Sequence, residues 1–366
     1  MAVVKADAYG HGMLNVLPAL RDADGYGVAT VEEAKALRRA GETKPVMVFQ
    51  GFRTPKQLEE CIAGKLWPVI HDEYQLEMMA HKNLANLSCW VKFDTGMGRV
   101  GLDVAKVTEA YQRLRATSVK VVGIMSHLAC ADRPQDLTNT RQLRELQSIS
   151  WPDVALRSMA NSAALLSRKD SRLDWVRPGL MLYGASPFSD AHTPNNVSHS
   201  GSAATEAESS CAVPYGESIG LQPAMRVTAP VIAVRQLERG QRVGYGARYR
   251  CEKPTRVAVV GAGYGDGYPR SAPDLASVML GNLRCPIIGR ISMDSMVVDI
   301  SELTVPPPID YPVTLWGHSQ LRVEEIAQLA GTIPYELLCS VRGQRHWIDV
   351  SNKVNVSRFD QDVSTN

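Results

Sequence analysis

From residue 2 to about residue 180 the chain alternates short, almost continuously apolar runs with segments whose charged residues recur at helical spacing. The runs are Ala2–Asp7, Gly25–Thr30, Pro45–Gln50, Trp67–His71, Leu87–Asp94, Val119–His127, Val154–Ala160 and Leu173–Val176. Strands this uniformly apolar belong to a parallel sheet covered on both faces. The intervening segments, such as Val31–Ala40, Tyr74–Ala80 and Val104–Arg115, put Ala and Leu on one face and charge on the other. Eight strand–helix units in succession predict an α/β fold, an N-terminal (β/α)8 barrel of the TIM type, with an open doubly wound sheet as the competing arrangement.

The pattern changes after Pro187. Residues 189–221 are rich in Ser, Ala, Asn and Thr and read as a polar insert or linker. Strand-like runs then return at short intervals: Arg226–Arg235, Arg242–Gly246, Arg256–Ala262, Ser277–Leu280, Pro286–Ile288, Met296–Ile300 and Val313–Trp316, followed by one helical pattern at Val323–Ala330. The expected organisation is a barrel over 1–188, the insert over 189–221, a mainly β domain over 222–355 and a polar tail over 356–366.

Composition narrows the function classes. The 40 Lys and Arg nearly balance the 38 Asp and Glu and are interspersed, so the electrostatic footprint of a nucleic-acid surface is missing. The longest apolar stretches fall far below the roughly 18 residues of a membrane helix. Seven cysteines stand singly, with neither zinc spacing nor a disulfide framework, which points to a reducing, cytoplasmic setting. His192 and His199 have no flanking ligands, and no metal site is expected.

In a barrel, chemistry belongs at the C-terminal ends of the strands. Lys5 ends the first run, Lys92 and Asp94 the fifth with Arg99 just beyond, His127 the sixth, Asn161 and Ser162 the seventh, and Arg177 the eighth. A lysine on an apolar strand is costly unless it is paired, neutral or used covalently, and a Schiff base is one such use. Gly10 and Gly12 allow a tight turn beside a ligand, and Tyr9 can donate to an anion.

These residues carry a resemblance. VVKADAYGHG (3–12) resembles the cofactor-lysine motif of the alanine racemase family. WVKFDTGMGRVG (90–101), SHLACAD (126–132), ANSAA (160–164), DWVRPGLMLYGASP (174–187), VGYGARY (243–249), AGYGDGYPR (262–270), VMLGNLRCPIIGRISMD (278–294) and YELL (335–338) are similar to family segments in the family's order. The resemblance implies a pyridoxal 5'-phosphate enzyme that interconverts L- and D-alanine as a homodimer with shared active sites, supplying D-alanine for peptidoglycan or racemising L-alanine for catabolism.

Residue by residue, it implies that Lys5 holds the cofactor and is one of two bases, and that Tyr245 is the other, reaching the site from the partner subunit. Tyr9, Ser162, Gly179, Leu180 and Tyr335 correspond to the phosphate-binding positions, with Asn161 beside them. Arg177 corresponds to the partner of the pyridine nitrogen and His127 to its neighbour. Arg99 and the backbone of Met293 correspond to contacts with the substrate carboxylate. Asp132, Tyr264, Arg290 and Asp294 correspond to the substrate entrance, where each can equally be an ordinary loop residue. Lys92 corresponds to a lysine that is carbamylated in parts of the family and then steadies the arginine; an ion pair with Asp94 or another acid is the alternative.

The chemistry is coherent. Removing a proton from one face of a carbon and returning one to the other calls for two bases. A charged arginine on the pyridine nitrogen weakens the cofactor as an electron sink and so limits side reactions. A tyrosine hydroxyl is a poor base at neutral pH, so Tyr245 needs cationic neighbours, for which His127 and Arg99 are the candidates.

Other patterns fail on context. Gly216–Gly220 fits G-x-S-x-G but follows a polar linker, and Gly261–Gly267 lacks dinucleotide-loop spacing. Family members carry a further segment before the lysine motif, so apolar surface is expected to be exposed beside the first strand. The insert is longer than the usual link, and Ser340–Asp349 lacks the familiar ending. The rival readings are a serine or broad-specificity amino-acid racemase, and a shortened copy that binds cofactor without turnover.

Overall fold

The computed structural model describes residues 1–188, 219–274 and 276–343. The G-x-S-x-G match, both insert histidines, Cys211 and the polar tail lie wholly or largely outside them. The described residues form two compact units, 1–182 with 186–188, and 183–185 with 219–343.

The first unit is built on parallel strands β1 (Ala2–Val3), β2 (Tyr26–Val28), β3 (Val46–Val48), β4 (Trp67–Ile70), β5 (Ser88–Asp94), β7 (Lys120–Met125) and β8 (Leu156–Ser158), which neighbour one another in chain order; the two-residue β6 (Leu102–Asp103) pairs alongside β5. The eighth stave is an extended segment. Trp175 bridges Ser158 in parallel, and Arg177 N–H donates to Ala160 O at 2.9 Å. On its other side the Met1 amine donates to Val176 O at 3.0 Å and Val3 N–H to Pro178 O at 2.9 Å. These bonds close the (β/α)8 barrel between its first and last staves. Met1, Met47, Val69, Trp90 and Met125 meet in its interior, where Trp175 stands edge-on to Trp67 and Trp90. Met1 to Val4 are buried, so the expected exposed surface beside strand 1 is not found on the strand itself.

The first run does not continue as a strand to Asp7. β1 stops at Val3, and Ala6, Asp7, Ala8 and Tyr9 all have φ between 53° and 55°, a turn of left-handed helix begun by Lys5. Each such residue costs roughly 1–2 kcal/mol in an L-amino-acid chain, so the surroundings must over-determine the turn. They do. Ala6 N–H donates to Glu33 Oε1 and Met13 N–H to Asp7 Oδ1, each at 2.7 Å, while Gly10 and Gly12 N–H close onto Ala6 O and Asp7 O. Glu33 is the N3 residue of a capping box with Thr30 on helix Val31–Arg39, so one carboxylate serves both helix and turn. Ala6 is exposed and needs no side chain here; Ala6→Gly is expected to raise stability by about 0.5–1 kcal/mol, read as an increase in Tm.

The second unit is an antiparallel sheet of β9 (Val227–Leu237), β12 (Thr255–Val260), β13 (Ser277–Leu280), β14 (Leu283–Pro286), β15 (Met296–Asp299) and β16 (Pro312–Trp316), in the order β14-β13-β16-β9-β12-β15. A bridge between Ile287 and Val298 brings its two edges together. β10 (Arg242–Val243) and β11 (Tyr249–Arg250) form a separate ribbon around a tight 3-10 turn at Tyr245–Ala247, so Arg242–Gly246 is a strand for only its first two residues. Of the Pro286–Ile288 run only Pro286 is in a strand, as the last residue of one that starts at Leu283, and Pro334–Ser340 is a helix that the apolar pattern did not announce.

Candidate active site

The C-terminal ends of the barrel strands carry a cationic cluster. Arg177 is buried at 4% exposure. Its Nη2 donates to Ser126 O at 2.7 Å and Met159 O at 3.2 Å and lies 3.3 Å from His127 Nδ1, and its Nη1 donates to Ser158 Oγ. Burial pulls its pKa down to about 10, so it stays protonated at neutral pH. His127 is pushed well below the ordinary histidine range by desolvation and then by the charges of Arg177, Lys92, Arg99 and Lys5. It is therefore neutral, with Nδ1 as acceptor, and supplies no positive charge to a tyrosine. That expectation fails on electrostatic grounds.

Lys92, buried on β5, is lowered to about 8, first by desolvation and then by Arg177 and Arg99, with Lys5 adding to them. The ion pair with Asp94 does not form: no described carboxylate lies within salt-bridge distance of Lys92. Asp94 Oδ1 instead accepts the N–H groups of Gly96, Met97 and Gly98 at 2.9, 2.8 and 3.2 Å, shaping the loop that carries the exposed Arg99. Lys5 Nζ stands 5.9 Å from the Phe49 ring centroid.

The Lys92 shift sets a pH dependence. An unfolded chain binds this proton up to the ordinary lysine range, so between about pH 8 and pH 10.5 stability rises with pH, and below pH 8 the full penalty is present. Lowering from the ordinary lysine value to about 8 corresponds to about 3 kcal/mol. In carbon-dioxide-free buffer, Lys92→Met is expected to gain up to that amount at pH 7 and nothing above pH 10.5, by urea denaturation.

Beside the cations lies a small cradle. Ser162 Oγ accepts Gly179 N–H at 2.8 Å and Met181 N–H at 3.3 Å. A Cβ on Gly179 would stand 2.4 Å from Tyr9 Oη, so only glycine lets the hydroxyl approach this backbone. Leu180 is fully buried and opens the turn Leu180–Tyr183. Asn161 has a different job: its Oδ1 caps helix Ser162–Ser167 by accepting Ala164 N–H at 3.0 Å. Asp132 is half-buried in the turn before Arg133.

The second unit gathers another group. Tyr245, at 70% exposure, sits between Gly244 and Gly246, and a Cβ on Gly246 would lie 3.5 Å from Arg290 Nη1. Arg290 is thus a cation beside the Tyr245 turn, and Arg242 is another, whose Nη1 donates to Ala247 O at 2.8 Å. Tyr264 N–H donates to Ser292 O at 3.1 Å and Gly265 N–H to Met293 O at 2.7 Å, which seats exposed Tyr264 beside exposed Met293 and Asp294. Tyr335 is half-buried in the first turn of helix Pro334–Ser340. Sequence reasoning missed Ser126 and Ser158 as supports of Arg177, and Glu33 as support of the Lys5 turn. Only Glu33 had a readable signal, the Thr30-x-x-Glu33 capping box.

Comparison with known proteins decides the family. The alanine racemase N-terminal domain matches residues 1–187 and the alanine racemase C-terminal domain residues 224–347. The chain belongs to the alanine racemase family. The alanine racemase of Thioalkalivibrio sulfidiphilus (strain HL-EbGR7) is 45% identical over 349 residues, 94% of this chain and 90% of that protein. That of Azoarcus sp. (strain BH72) is 41% identical over 345 residues, 93% of this chain and 90% of the relative. Among solved structures, the biosynthetic alanine racemase from Pseudomonas aeruginosa superposes with a TM-score of 0.81 at 36% identity, covering 93% of this chain and 89% of that one. The alanine racemase from Bartonella henselae with covalently bound pyridoxal phosphate gives 0.77 at 28% identity, with 93% and 89% coverage. The racemase is accordingly an amino-acid racemase with a barrel followed by a mainly β domain. Among the described residues, no helix is long and apolar enough to cross a membrane.

Proposed function

We propose that this racemase interconverts L- and D-alanine with pyridoxal 5'-phosphate as cofactor, Lys5 as one base and the partner subunit's Tyr245 as the other. The observation that carries the reading is the placement of Lys5, the Tyr9–Ser162–Gly179 cradle and the Arg177–His127 pair together at the C-terminal ends of the strands. Hydroxyl donors beside adjacent cations suit a phosphate monoester. The covalently bound cofactor of the Bartonella henselae relative adds to that support.

When bound, pyridoxal phosphate delocalises the charge left when an α-proton departs. The chain's own residues do the rest. Ser162, Gly179, Tyr9 and Leu180, with Tyr335 by its correspondence to the family, would hold the phosphate, and Arg177, still protonated, would donate to the ring nitrogen and limit that delocalisation. Lys5 Nζ anchors the ring and moves a proton on one face, and Tyr245 Oη moves one on the other. Arg99 and the Met293 backbone orient the substrate carboxylate. The exposure of Tyr245, Tyr264, Arg290, Met293 and Asp294 on one unit supports their presentation to the partner in a homodimer.

Lys92 is carbamylated in this reading. A neutral amine attacks carbon dioxide, forming an N–C bond and releasing one proton, and burial among cations supplies the neutral form. The resulting carboxylate offsets the cluster and steadies Arg99.

The test is α-proton exchange followed by NMR in deuterated buffer, with L-alanine and D-alanine in separate runs, pyridoxal phosphate added, and Lys5→Ala as the blank. Deuterium incorporation with appearance of the opposite enantiomer from both starting points is the expected result. Faster exchange of serine than of alanine would overturn the substrate assignment, and no exchange with cofactor bound would overturn the activity.

A further inference from the structure

Helix Leu137–Ser148 buries two side-chain amides that the chemistry above leaves unused, Asn139 and Gln142. Gln142 is wholly inaccessible to solvent. Its Oε1 accepts Ala129 N–H at 2.9 Å, and its Nε2 donates to His127 O at 3.0 Å and towards Thr95 Oγ1 at 3.5 Å. Thr95 Oγ1 lies 2.7 Å from Ser126 Oγ. Ser126 O and His127 Nδ1 are in turn two of the groups that face the Arg177 guanidinium. Hydrogen bonds from one side chain on an outer helix therefore reach two residues, Ser126 and His127, that themselves contact Arg177. The branch at Thr95 adjoins Asp94, whose loop carries Arg99.

We propose that Gln142 is a positioning residue, which fixes the backbone of Ser126–Ala129 so that Arg177 and His127 are held in the geometry the reaction uses. After β7 the chain leaves the sheet, so the carbonyl of His127 and the N–H of Ala129 lose strand partners and are taken up by one side chain. They require one donor and one acceptor from the same direction, which a primary amide supplies on one planar group. Leucine supplies neither, an ionised glutamate supplies only acceptors, and asparagine is a methylene shorter. In a dry interior such a network is stiff, and a single mismatched member disturbs the rest. This role rests on the function proposed above, but the geometry it fixes can be read without turnover.

The experiment compares the full-length parent with Gln142→Glu and Thr95→Val, using histidine-ring 15N NMR and alanine racemisation between pH 6.5 and 8.5. His127→Asn assigns the His127 signal. In Gln142→Glu at pH 8.5 a carboxylate faces the His127 carbonyl; the His127 Nδ1 resonance is expected to move and kcat to fall about tenfold, with KM within about threefold. Towards pH 6.5 the protonated carboxyl again donates to that carbonyl, so resonance and kcat return towards the parent. Thr95→Val, which loses only the branch, shifts the resonance less and in the same direction. An unmoved His127 signal in both variants, with a pH-independent kcat ratio and only a lower Tm, overturns the proposal. A moved signal in proteins that do not racemise alanine, the parent included, sinks the function and leaves the positioning role standing.

Discussion

Tyr245→Phe is expected to slow racemisation by about 10²–10⁴, the usual contribution of one proton-transferring side chain, while the α-proton of one enantiomer still exchanges with solvent. The reason is that Lys5 remains to serve one face of the substrate carbon. Exchange and inversion therefore separate: one enantiomer of alanine takes up deuterium without forming its mirror image. Equal loss of exchange from both enantiomers would sink the two-base assignment. Lys5→Ala loses both the anchor and a base, and its turnover is expected to vanish. If the sites are shared between subunits, the two inactive chains complement one another. Co-refolding equal amounts gives half heterodimers, each with one intact site of two, and restores about a quarter of the parental activity. A mixture no more active than its components would show that Tyr245 serves its own subunit.

Arg177→Met is expected to cost about 3–5 kcal/mol of stability, because it strands buried acceptors. Ser126 O, Met159 O, Ser158 Oγ and His127 Nδ1 all face this guanidinium, and the methionine replaces none of its donors. The charge also matters. Arg177 follows desolvation as the largest cause of the low Lys92 and His127 values, so both rise when it is removed. The pH range in which stability climbs consequently starts above pH 8 in the variant. Arg177→Lys separates the two effects: it keeps a charge near Lys92 but cannot serve four acceptors from one ammonium. It should preserve the pH profile more than the stability. Urea denaturation from pH 7 to 10.5 reads both, and a variant as stable as the parent would refute the buried-donor account.

Much of the barrel was legible because parallel strands covered on both faces leave a plain record of apolar runs. Even Trp175, which pairs only as a single bridge, lies inside a run that was read as the eighth strand. The error at Lys5 has a physical origin: Ala6, Asp7 and Ala8 carry no propensity for left-handed backbone, and tertiary hydrogen bonds to Glu33 and Met13 impose it. The charge state of His127 was equally hidden. It depends on Arg177, fifty residues away in the chain and 3.3 Å away in space. Arg290 was marked for the entrance by resemblance, and its approach to the Tyr245 turn follows from a fold around Gly244 and Gly289 that no local pattern encodes. Helix Pro334–Ser340 is only seven residues long, too short for a periodic signal.

The strand ends assemble Lys5, Lys92, Arg99 and Arg177 close enough for their charges to act on one imidazole, while the nearby Asp94 turns its carboxylate onto backbone N–H groups. Walls of low polarizability concentrate such a field and send it outwards through the barrel mouth. Small dianions are therefore expected to be drawn in by drift as well as by random diffusion. Their capture rate falls as ionic strength rises and the Debye length shrinks below about 10 Å. Ordinary phosphate buffer is expected to compete for the same site, which a slower rate of cofactor uptake in phosphate than in a zwitterionic buffer of equal ionic strength would show.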